Sequence, residues 1–129
     1  MKKSMLVFLL IVVTFFTFLS CSSKMTEKEY YDQAYKYMGN EKWSDAEASF
    51  QAIMDQYPQG ELYPKAMFMV AYINANHIKN LEKAKKYYTE FLKKYPNHDL
   101  ADDAKYEIEN LGKSVDELPF MQDQQSNNN

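Results

Sequence analysis

The chain has 129 residues, 46% hydrophobic and 26% charged, a balance that suits one small globular domain. From Cys21 onward 13 lysines stand against 18 acids, a formal charge of −5, and arginine is absent. This argues against nucleic acid as a partner, since that needs a basic face and arginine contacts to guanine.

Lys2 and Lys3 open the chain, and Met5 to Leu19 is apolar but for Thr14 and Thr17. Ser20, Cys21, Ser22 and Ser23 follow. A basic start, an apolar run and small residues make residues 1–20 a signal peptide. An uncleaved anchor is the alternative, but a span needs about 20 apolar residues. Cys21 is the only cysteine, so no internal disulfide can form. Its setting resembles the lipobox of bacterial lipoproteins, in which the cysteine is acylated and becomes the mature N-terminus. Ser20 fits that pattern, whereas Phe18 and Leu19 depart from it. Ordinary cleavage after Ser22 is the competing reading. If Cys21 is lipidated, residues 21–25 are a tether to the membrane.

Thr26 to Glu29 has capping-box spacing, and Tyr31, Ala34, Tyr35 and Met38 form a helical stripe that ends at Gly39-Asn40. Ser44 to Glu47 reads as a second capping box. It starts a helix with Ala46, Phe50, Ile53, Met54 and Tyr57 on one face, closed by Pro58 and Gly60. A third helix is expected from Glu61 to Ile78, with Pro64 in its first turn and Ala66, Met67, Val70, Ala71, Ile73 and Asn74 in register. Asn80 is the expected N-cap of a fourth, with Leu81, Ala84, Tyr88, Phe91, Leu92 and Tyr95, stopped by Pro96. A fifth runs from Asp99 to Leu111, with Gly112 as C-cap. Residues 113–121, with Leu118, Phe120 and Met121, read as a cap segment. The amide-rich residues 122–129 read as a disordered tail.

One pattern is written twice. Trp43 to Pro58 returns as Leu81 to Pro96, so that Ala46 maps to Ala84, Phe50 to Tyr88 and Tyr57-Pro58 to Tyr95-Pro96, each 38 positions on. A period within about 20–50 residues marks a repeat architecture. Ala34, Ala46, Phe50 and Pro58, then Ala71, Ala84, Tyr88 and Pro96, resemble the small-residue, aromatic and proline positions of tetratricopeptide repeats. The resemblance covers residues 26–112. It implies an all-α fold: a tetratricopeptide-like right-handed stack of antiparallel helical hairpins, about 2.5 repeats in five helices. The period departs from the family's shorter one. Ala34 to Ala46 spans 12 positions and Ala71 to Ala84 spans 13, so the second turn holds one extra residue. The long period, the Tyr-Pro ending and the lipoprotein signal together resemble two kinds of envelope protein. One is the repeat lipoprotein of the outer-membrane β-barrel assembly machinery, and the other is the repeat domain of the Tol–Pal coordinator.

No phosphate loop, metalloprotease motif or nucleophile elbow is present, so no catalysis and no cofactor are expected. His77 and His98 are expected to be solvated loop residues, and no metal site is assigned to them. In the resembled family the first helix of each hairpin lines a groove. That puts Tyr31, Phe68 and Tyr106 at one groove position and Tyr35 and Tyr72 at the next, as a candidate partner-binding face. Inter-helix packing by the same aromatics is the alternative. The lysines around the fourth helix are expected to be a solvated face, with attraction to anionic lipid or an acidic partner as the alternative. The resemblance implies a non-enzymatic adaptor for other envelope proteins or peptides, in an outer-membrane lipoprotein facing the periplasm. Outer-membrane protein assembly, envelope constriction and service to an envelope enzyme all fit, and the oligomeric state is open.

Overall fold

A computed structural model describes residues 24–113. The expected signal peptide, Cys21, the Leu118–Met121 part of the expected cap segment and the expected 122–129 tail lie outside the described residues. Within them all regular structure is helical. The elements are α1 (Glu27–Gly39), α2 (Trp43–Gln56), α3 (Tyr63–Ile73), a π-helical turn (Asn74–Ile78), α4 (Leu81–Lys94) and α5 (Ala101–Glu109). They form a tetratricopeptide-like stack.

The start of α1 is set by its sequence. The Thr26 hydroxyl accepts from the Glu29 N–H at 3.2 Å, and the Glu29 carboxylate accepts from the Thr26 N–H at 2.7 Å. Two orphan donors are thereby satisfied reciprocally. At the other end the Asn40 N–H bonds back to the helix, and Glu41 turns the chain at a φ of 56°. The second expected capping box does not form. Lys42 takes the cap position without a side-chain bond, and Ser44 lies inside the first turn of α2. Glu47 is used elsewhere: its carboxylate pairs with Lys83 and accepts from Asn74 Nδ2 at 2.7 Å. A cation and an amide from the next hairpin displace the local backbone donor.

The third helix starts two residues later than its pattern suggests, with Pro64 in its opening turn. Its last five residues, Asn74–Ile78, wind as a π turn rather than as α-helix. Hydrogen bonds to the fifth residue accommodate one more residue per turn. This is where the extra position between Ala71 and Ala84 goes. Lys79, left-handed at a φ of 64°, closes the turn, and Asn80 caps α4 by accepting from the Lys83 N–H at 3.1 Å. Helix α5 ends at Glu109 with Asn110 as its cap, so Gly112, at a φ of 81°, follows the end rather than making it.

Ala34, Ala46, Ala66, Ala71, Ala84 and Ala104 are all fully buried. Small residues at these crossings let helix axes come within about 8–10 Å. Phe50, Ile53, Val70, Ile73, Tyr88 and Phe91 fill the space between them. Helix α3 packs against both α2 and α4 and is the shared centre of the stack. Helix α5 packs on α4 and turns Asp102, Asp103, Lys105, Tyr106 and Glu109 to solvent, a polar outer side that ends the stack.

The N-terminal end is stitched down. The Tyr57 hydroxyl donates to the Met25 carbonyl at 2.6 Å, and the Leu62 N–H donates to the Glu27 carboxylate at 2.8 Å. Glu27 also lies against Gly60, where a Cβ would meet its carboxylate and have to push it away from the Leu62 N–H.

Candidate functional site

The A helices are α1, α3 and α5, and the B helices are α2 and α4. The repeat sets up the same ring contact twice. Tyr31 of α1 meets Phe50 of α2 edge-on, with centroids 5.8 Å apart. Phe68 of α3 meets Tyr88 of α4 edge-on at 5.4 Å. The five aligned aromatics nevertheless have different surroundings.

Tyr31 and Tyr35 come together. Their centroids are 4.8 Å apart, and the Tyr31 hydroxyl donates to that of Tyr35 at 3.2 Å. Tyr31 is half-buried, and burial first, then the bond to Tyr35, pushes its phenol up to about 12. Tyr35 is 45% exposed. Phe68 is only 8% exposed, because it is enclosed by Tyr88 and by Phe91 at 5.9 Å. Tyr72 is half-buried and meets His77 edge-on at 5.9 Å. Tyr106 is 47% exposed on α5. Two exposed tyrosines thus mark the two terminal A helices, and between them the central helix presents Tyr72 above a buried Phe68.

Both histidines differ from the expectation of solvated loops. His77 sits in the π turn and stacks on Trp43, with centroids 3.4 Å apart and planes within 10°. Burial and Lys79 hold its imidazole below the usual histidine range, with Glu41 acting the other way. His98 accepts from the Leu100 N–H at 3.1 Å through Nδ1 and packs edge-on against Phe91 at 5.4 Å. The sequence signal for the Trp43–His77 stack was the one-residue excess between Ala71 and Ala84. Without the π turn, it could not be read as a ring contact.

Beneath Tyr72 the Tyr88 hydroxyl is fully buried with no hydrogen-bond partner. Burial, then Glu107, Tyr72 and Asp103, drive its phenol far above the usual range. Glu107 is itself held above the ordinary carboxylate range by burial and by Asp103, while Asn76 pulls it down. Sequence reasoning missed this cluster of polar groups around the Tyr88 hydroxyl. Among the described residues no group of three or more His, Cys, Asp or Glu side chains is placed to hold a metal ion. No helix among them is long and apolar enough to cross a membrane.

Residues 23–125 match the family model described as YfiO, outer membrane lipoprotein. The chain belongs to this family. The match takes in all five helices and continues past the described residues. No match is found among curated proteins or among solved structures. Membership supports an envelope protein, and together with the stack it suggests a protein-interaction role.

Proposed function

We propose that this lipoprotein is a non-enzymatic adaptor, anchored to the outer membrane through an acylated Cys21. Its A-helix face holds other envelope proteins or peptides on the periplasmic side during outer-membrane protein assembly. The observation that carries the reading is the exposure of Tyr35 and Tyr106 on the two terminal A helices, 45% and 47%. Tyrosine offers a large apolar ring and a polar tip at low cost in side-chain freedom, which is why it recurs at interface centres. Tyr31 and Tyr72 extend the face, and Phe68 supports it from below.

The test is crosslinking in the native envelope with the full chain, comparing wild type with the Tyr35→Ala, Tyr106→Ala double variant. Capture should fall sharply while the melting temperature barely moves, since exposed substitutions usually change stability by less than about 0.5 kcal/mol. Unchanged capture would remove the tyrosine face from the proposal. Captured proteins that never include β-barrel assembly components would remove the assembly role. Cys21→Ala should abolish incorporation of a fatty-acid probe and release the chain from membranes. Retention on membranes without the cysteine would refute the anchor.

A further inference from the structure

Helix α4 divides into two faces. Ala84, Tyr88 and Phe91 point into the core. On the opposite side Glu82, Lys85, Lys86, Thr89 and Lys93 are exposed and, with Glu90, line one shallow open depression. Six lysines fall between Lys79 and Lys94 against two acids, Glu82 and Glu90. The rest of the described chain has the reverse balance, seven lysines against thirteen acids. Positive charge is therefore concentrated along one helix of an otherwise acidic domain. Lys83 is tied to Glu47 and Lys94 to Glu90. Lys85, Lys86 and Lys93 form no ion pair among the described residues. Glu82 and Glu90 stand among them, with Glu90 engaged by Lys94, so the face keeps a net positive charge, whose field attracts an opposite surface.

The geometry points to the outer face of α4 as a surface that lies against anionic phospholipid. The charges are lysine without arginine. Hydrated point charges on flexible stems suit a diffuse phosphate layer, whereas a fixed carboxylate or phosphate partner is best met by the arginine fork. The Thr89 hydroxyl adds a donor between Lys85, Lys86 and Lys93. Where α4 begins, Ile78 and Leu81 are exposed at 36% and 38%, flanked by Lys79 and Lys83. Exposed apolar side chains with lysine neighbours suit an interfacial contact, and acids stand near them too, Glu41 and Asp45 by Ile78 and Glu107 by Leu81.

The chain's own layout puts a bilayer within reach. Lys24 lies over the Tyr57 ring at 5.0 Å, and Glu27 bonds Leu62. The next residue, Tyr63, meets Lys94 at 5.7 Å and Tyr95 at 6.4 Å. The N-terminal lead and the Lys93–Lys94 end of α4 therefore emerge at the same end of the stack. Cys21 precedes Lys24 by three residues, roughly 10 Å of chain at full extension. This inference rests on the anchoring proposed above. With that end held at the bilayer, α4 can lie down on it, and the A-helix face then turns away from the membrane toward partners. Each lysine brought close to an anionic surface strengthens the contact about fivefold. The attraction fades beyond about 8 Å at physiological salt.

The experiment places the full lipoprotein in nanodiscs of phosphatidylcholine alone or mixed with phosphatidylglycerol. Lysines are labelled with an amine-reactive reagent, and the rate at each is read by mass spectrometry. Intact mass reports acylation of Cys21 separately, so a missing anchor and an idle α4 are told apart. Lys85, Lys86 and Lys93 should label at least about fivefold more slowly in the anionic discs. Molar salt should abolish that protection, and Lys36 and Lys42, toward the far end of α1, should show none. Equal rates in the two discs, or uniform slowing at every lysine, would overturn the inference. Protection in neutral discs that appears only when inorganic phosphate or envelope protein is added would overturn it too. It would assign the face to a free anion or an acidic protein instead.

Discussion

Tyr88→Phe should stabilise this protein. The tyrosine ring is fully buried against Phe68 at 5.4 Å, and those contacts survive the loss of one oxygen. The first repeat shows that the site accepts a phenyl ring, since Phe50 occupies the matching place and is equally buried. What the substitution removes is a hydroxyl with no partner. A buried, unsatisfied polar group costs about 1–3 kcal/mol. Some of that is recovered by small relaxations, so the expected gain is about 1–2 kcal/mol. For a domain of this size each kcal/mol moves the melting temperature by roughly 4–8 °C. Thermal and urea melts followed by circular dichroism would read the change, and the slope of the urea transition should not alter. A lower melting temperature for the variant would refute the reasoning. It would mean that the hydroxyl is hydrogen-bonded in solution, to Glu107 or through a water.

Glu107 predicts a pH dependence. Its folded carboxyl titrates above the ordinary value, so the fold favours the protonated form. Stability from this group is greatest in acid and declines as pH rises through the ordinary and then the raised value. Glu107→Gln should remove that decline and raise the melting temperature at neutral pH; a fall at neutral pH would contradict the assignment. Glu47→Ala should cost about 1–3 kcal/mol, because it leaves the buried Asn74 amide short of an acceptor and Lys83 unpaired. A loss under 0.5 kcal/mol, about that of an exposed substitution, would show that the bridge between hairpins does not form. Trp43 is the only tryptophan, and its emission should titrate with His77, quenching as the stacked imidazole gains its proton. The midpoint should fall below that of an ordinary histidine, and one above it would argue against burial as the governing effect.

Much of the stack is legible in the sequence because its determinants are local. The Thr26 box, the Asn80 cap and the alanine and aromatic positions of both repeats depend on neighbours within a turn or on a periodic face. The misreadings depend on what lies across the next interface. Ser44 and Glu47 have the spacing of a capping box, but Lys83 and Asn74 draw Glu47 to the other hairpin. Tyr31, Phe68 and Tyr106 share one repeat position, yet only Phe68 is enclosed. Helix α3 has a helix packed on each side, α2 and α4, whereas α1 and α5 end the stack. A repeat pattern assigns a position within the unit and does not tell an end from the middle. The same limit hides the polar cluster around Tyr88 and Glu107, whose members come from α3, α4 and α5. The one-residue excess between Ala71 and Ala84 is visible in the sequence. Its resolution as a π turn, and the ring stack that turn creates, are not.

The stitching at the N-terminal end has a mechanical consequence. A pull entering at Lys24 meets the Met25 carbonyl, held by Tyr57 at the close of α2, and then Glu27, held by Leu62 at the start of α3. Tension is therefore divided among three helices at once, and α1 does not peel away one hydrogen bond at a time. If Cys21 is the anchor proposed above, the domain transmits force from it through this foundation as a single block.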